Sequence, residues 1–84
     1  MRTVWKYKLG PITVVRLPLD AQVLTVQIQR EEGPVLWALV DSSETEMVNR
    51  TFRCCGTGEE CEPAGTYIAT FQLSNGLVFH VFED

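Results

Sequence analysis

The stretch VLTVQIQREEGPVLWALVD, residues 23–41, decides the fold class. In VLTVQIQR (23–30), Leu24, Val26 and Ile28 alternate with Thr25, Gln27 and Gln29. That period of two puts one face of a strand on a core and the other in water. Glu31-Glu32-Gly33-Pro34 reads as a turn. VLWALVD (35–41) is apolar on both faces, which predicts a central strand covered on two sides. Its apolar run, Val35 to Val40, is far too short to span a bilayer.

The same pattern extends in both directions. TVWKYKL (3–9) places Trp5, Tyr7 and Leu9 on one face and Lys6 and Lys8 on the other, and Gly10-Pro11 ends it. ITVVRL (12–17) follows and is closed by Pro18. DSSETE (41–46) is a polar loop or one helical turn over 42–46 capped by Asp41 or Ser42. MVNRTFRCC (47–55) sets Val48, Phe52 and Cys54 on one side. TYIATFQL (66–73) aligns Tyr67, Ala69, Phe71 and Leu73, and LVFHVF (77–82) is the last strand. With no helical period, repeat or linker, the chain is predicted to be all-β. The expectation is a single domain over 1–84: a small antiparallel barrel or sandwich of six or seven short strands.

Ser74-Asn75-Gly76 closes the last hairpin in one of two registers. A two-residue Asn-Gly turn pairs Phe71 with His80, whereas a three-residue loop with Gly76 in the left-handed region pairs Phe71 with Phe79. The second gives the cleaner apolar face, Leu77, Phe79 and Val81, so His80 is expected to point away from it.

Bulk composition narrows the function. Eighty-four residues with 45% hydrophobic content can bury roughly 60% of the unfolded chain's surface, enough for one core. Net charge is −4, yet residues 1–19 carry Arg2, Lys6, Lys8 and Arg16 without an acid. The acidic remainder argues against nucleic acid or anionic membrane as a partner. The N-terminal cations read as an exposed face or as edge protection. MRTVWKYK lacks the apolar core of a signal peptide, so the expected location is the cytoplasm.

The residues that promise chemistry gather in FRCCGTGEECEPAG, 52–65. Cys54, Cys55 and Cys61, with His80, have the inventory of a zinc site. Adjacent cysteines in a strand face opposite ways. If 47–55, 66–73 and 77–82 are neighbours in that order, His80 lies roughly 13 Å from Cys54. Free thiols at a strand end are therefore the leading expectation for a cytosolic chain. A disulfide from Cys55 or Cys54 to Cys61, or zinc shared with a loop glutamate, are the alternatives. Glu59, Glu60 and Glu62 oppose a reactive thiolate and repel phosphate, which argues against an enzyme. The GTG at 56–58 is only a fragment of a phosphate-binding fingerprint. The expected interaction surface is Glu59, Glu60 and Glu62 with Arg53. Glu44 and Glu46 read as surface acids. Trp37 reads as core, while Trp5 and Tyr7 suit either a core or a stacking platform.

VWKYKL, LWALVD, FRCCGTG, GTYIATFQL and LVFHVFE together resemble a short uncharacterised all-β domain that recurs in bacteriophage and bacterial genomes. Its pattern has aliphatic residues where this chain has Cys54 and Cys55, and GTFQ where this chain has ATFQ. The resemblance implies a free-standing, phage-associated domain and carries no known activity. Small acidic phage proteins without catalytic residues often act by binding, so the expected function is engagement or inhibition of a host protein complex. A nucleotide or small-ligand binder using the GTG loop with Arg50 or Arg53 is one alternative. A structural or assembly accessory, with edge-to-edge homodimers, is another.

Overall fold

The computed structural model describes residues 1–84 and contains seven strands. They are β1 (Arg2–Lys8), β2 (Ile12–Pro18), β3 (Gln22–Gln29), β4 (Gly33–Asp41), β5 (Met47–Gly56), β6 (Thr66–Gln72) and β7 (Val78–Glu83). They form a three-stranded sheet, β1-β4-β3, and a four-stranded sheet, β2-β5-β7-β6, antiparallel throughout. The two sheets do not close into a barrel; they face each other as a sandwich.

The core lies between the sheets. Leu36, Ala38 and Val40 of β4 meet Val15 and Leu17 of β2, Phe52 of β5, Ala69 and Phe71 of β6 and Val81 of β7. Phe52, Leu17 and Leu36 are wholly buried. Alternation delivers these residues inward, as the sequence predicts for Val48, Phe52 and Cys54 and for Tyr7 and Leu9.

Four sequence expectations are corrected. The strands β5, β6 and β7 are not neighbours in chain order, because β7 inserts between β5 and β6. His80 therefore sits directly opposite Cys55, not four residues down the sheet. Trp37 is not core: with Leu36, Ala38 and Val40 inward, Trp37 and Leu39 lie on the opposite face with the wholly buried Val35, and Trp37 is half-buried between Lys6 and Thr25. Lys6 reaches from β1 to Gln29 (3.0 Å) and Glu32 (2.9 Å) beside the β3–β4 turn, laying its stem across β4. Two bulges shift alternation by one. The shift between Val23 and Thr25 leaves Leu24 exposed, and the one between Tyr67 and Ala69 turns Tyr67 outward beside Phe82. The 42–46 segment forms no helical turn; the Glu44 N–H donates to Asp41 O, and the Asp41 carboxylate accepts from Ser43 N and Oγ.

The last hairpin takes the three-residue loop. Phe71 pairs with Phe79, Leu73 N–H donates to Leu77 O (2.8 Å), and Gly76 holds φ at +91°. His80 accordingly faces away from the core. At the margin of the inner faces Arg50 forms a two-point ion pair with Glu83 (Nε–Oε2 2.5 Å, Nη2–Oε1 2.8 Å). Its Nη1 donates to Ala21 O in the β2–β3 connection (2.8 Å).

Candidate functional site

Strand parity organises the cysteine segment. Cys54 points inward, half-buried against the core, and burial pushes its thiol pKa up. Cys55 points outward and is bonded to Cys61, six residues on. The expectation of three free thiols is thus corrected: two are joined in a disulfide and Cys54 alone is free. Because Cys54 lies on the opposite face, the three sulfurs do not converge on a common point.

His80 is held between two threonines. Thr57 Oγ1 lies 2.8 Å from Nε2 and Thr70 Oγ1 lies 3.1 Å from Nδ1. The Tyr67 hydroxyl extends the chain to Thr70 Oγ1 at 2.8 Å. No carboxylate or thiol joins this chain, so it orients an imidazole without activating a nucleophile.

Two main-chain donors at the GTG segment are engaged within the chain. Thr57 N–H bonds Val78 O (3.1 Å) and Glu59 N–H bonds Gly56 O (3.0 Å). Arg50 is engaged by Glu83 and Ala21, and Arg53 Nε bonds Asp84 Oδ1 (2.8 Å). A phosphate at this loop would have to compete for each of these groups.

The outward face of the four-stranded sheet carries a row drawn from every strand. Ile12 pairs with Arg53, Arg53 with Phe82 and Phe82 with Tyr67. The Tyr67 and Phe82 rings meet edge-on, centroids 5.8 Å apart. Ile12, Val14 and Tyr67 are each more than half exposed. Tyrosine and arginine amid aliphatic residues is the composition of protein-contact hot spots. The disulfide tethers the acidic loop to this face, where Glu60 and Glu62 line a groove of about 180 Å³ with Ile12 and Arg53. Three of the four residues expected to form an interaction surface, Arg53, Glu60 and Glu62, are thus brought together. The fourth, Glu59, packs over Gly56 and borders a separate apolar cleft.

That cleft, about 400 Å³, opens at the end of the sandwich between Leu9, Pro34, Cys54, Phe71, Leu73 and Phe79. Glu59 is the one charged group on its lining. Sequence reading missed Ile12, Val14, Tyr67 and Phe82 as surface residues. The alternation of LVFHVF already turned Phe82 outward with His80, but the bulge that exposes Tyr67 had no signal in the sequence.

A model of one protein family matches residues 1–84, and its description is a domain of unknown function (DUF7352). No curated protein and no solved structure matches the chain. The chain therefore belongs to the DUF7352 family of domains of unknown function.

Proposed function

We propose that this domain is a non-enzymatic binding protein of the phage type. In this reading it engages and inhibits a host protein complex in the host cytoplasm, an anti-defence role. The observation that carries the reading is the row Ile12, Arg53, Phe82 and Tyr67 across the four-stranded sheet, with Glu60 and Glu62 beside it. The partner surface that fits is apolar at its centre with cations at one margin, because neither glutamate has an ion pair within the chain.

The test uses tagged wild-type protein, Tyr67→Ala and Arg53→Ala in host lysate, with Lys8→Ala as a distant control. The expected result is one complex retained by wild type and Lys8→Ala but lost by the first two. Protection of phage in defence-bearing cells should fall in parallel. Loss of about 2 kcal/mol, or some thirty-fold in affinity, is the expected effect of removing a central aromatic. Equal retention and protection by all four proteins sinks the reading.

The apolar cleft favours a second reading, a small-ligand binder. Its lining suits an aliphatic or aromatic molecule with an ammonium end at Glu59. Chemical-shift titration with octylammonium and octanoate decides it: ammonium preferred, with the preference abolished in Glu59→Gln. No shift with either compound removes it.

A further inference from the structure

The four outer edges of the two sheets are not equally protected. β3 and β6 lie against each other where the sheets meet, so their edges are covered. On β1, Leu9 N–H donates to Pro34 O and Ser42 N–H to Met1 O, at the two ends of the β1–β4 ladder. Antiparallel ladders alternate bonded and unbonded residues, so Arg2, Val4, Lys6 and Lys8 present their main-chain groups to the free edge. Three of those four are cations, a common guard against strand pairing.

β2 is guarded less, since only one of its three free-edge residues, Arg16, is a cation. Cys54 N–H donates to Pro11 O (2.9 Å) and Leu19 N–H to Glu46 O (2.8 Å), with an unbroken register between them. Thr13, Val15 and Leu17 therefore bond to β5, and the N–H and C=O groups of Ile12, Val14 and Arg16 face away. No other main-chain hydrogen bond reaches these three. Pro11 and Pro18 bracket the segment, and Ile12 and Val14 are about 60% exposed (60% and 61%). Arg16 has no ion pair.

We infer that β2 is a self-pairing edge, where a second copy of this chain adds antiparallel about a twofold axis at Val14. The commitment to a second copy rests on charge. In this register Val14 faces Val14 of the second copy, and Ile12 faces Arg16 of the second copy. Residues directly opposed in a sheet share a face with Cβ atoms about 5 Å apart. The incoming Arg16 thus lies on the outward face beside Ile12, where Glu60 and Glu62 line the groove and lack partners. The twofold repeats the arrangement, so each copy supplies one unpaired cation and two unpaired carboxylates. Ile12, Val14 and Arg16 all carry N–H groups, giving six main-chain hydrogen bonds and a continuous eight-stranded sheet. Ile12, Glu60 and Glu62 belong to both contacts, whereas Tyr67 and Phe82, on β6 and β7, stay outside the pairing, so Tyr67→Ala separates the host-binding reading from it.

Sedimentation equilibrium up to about 1 mM tests the pairing. Wild type should show a monomer–dimer equilibrium that weakens as salt rises. Val14→Pro removes an N–H that the monomer does not use and should raise the dimer Kd at least thirty-fold. Arg16→Glu should do the same, and so should Glu60→Arg with Glu62→Arg. Mixing the Arg16→Glu chain with the Glu60→Arg, Glu62→Arg chain restores both charge contacts, so the mixed dimer should be tighter than either homodimer. A wild-type monomer at every concentration overturns the inference. A wild-type dimer without preferential mixed pairing overturns it equally, even if Val14→Pro fails to fold.

Discussion

Replacing Glu83 with glutamine tests how the sandwich is held at its margin. The carboxylate makes two charge-assisted hydrogen bonds to Arg50, and its side chain is 16% exposed against 25% for the arginine. Such bonds contribute roughly 1.5–3 kcal/mol each when partly shielded, and glutamine keeps one acceptor. Part of the loss is recovered because the freed guanidinium is still wetted. The expected cost is about 2–3 kcal/mol, which in a domain of this size lowers Tm by roughly 10–20 °C. Arg50→Met keeps the aliphatic stem but strands Glu83 and leaves Ala21 O without its donor, so it should cost about 3 kcal/mol. The double variant should be about 2 kcal/mol more stable than the two single losses added together. Urea unfolding, followed by the fluorescence of the two tryptophans, measures all four proteins. A coupling below about 0.5 kcal/mol would mean that the pair is a surface contact and would refute the reasoning.

Three further outcomes follow from single features. Cys61→Ser opens a short loop and should cost about 2 kcal/mol by chain entropy, with faster amide exchange confined to residues 57–65. The Asp41 carboxyl is held down to about 2 by Ser43 and the N-terminal amine, so its folded pKa lies below the unfolded one. Its contribution is then complete above about pH 4 and fades as pH falls towards 2; a carboxyl NMR titration with an ordinary midpoint would contradict this. Cys54, its thiol pKa raised by burial, should react with iodoacetamide at pH 8 at least tenfold more slowly folded than unfolded; equal rates would place the thiol in water.

The strands themselves were legible because alternation is strict wherever one face meets the core, and Gly76 fixed the final hairpin through its left-handed φ. Face assignment failed where that constraint is absent. In VLWALV (35–40) every position is apolar, so nothing in the composition says whether Trp37 or Leu36 faces the core; the charged partner Lys6 across the ladder decides it. Tyr67 and Leu24 were misplaced by bulges, each an extra residue that resets parity without changing residue type. The position of β7 was misjudged for a different reason. Antiparallel strands of like pattern can be permuted within a sheet, and only long-range packing selects β5-β7-β6. The error carried through to the site, since it placed His80 roughly 13 Å from Cys54 when His80 is the direct cross-strand neighbour of Cys55.

The insertion of β7 between β5 and β6 makes the final strand of the domain the keystone of the four-stranded sheet. β5 and β6 share no ladder with each other, so the long acidic segment between them joins two strands that β7 alone bridges. Until β7 has emerged and inserted, the outward row has Ile12 and Arg53 on one side and Tyr67 on the other with nothing between them. The outward row is therefore completed only by β7, and a chain stopped short of Val78 would carry three of its four residues without the row itself.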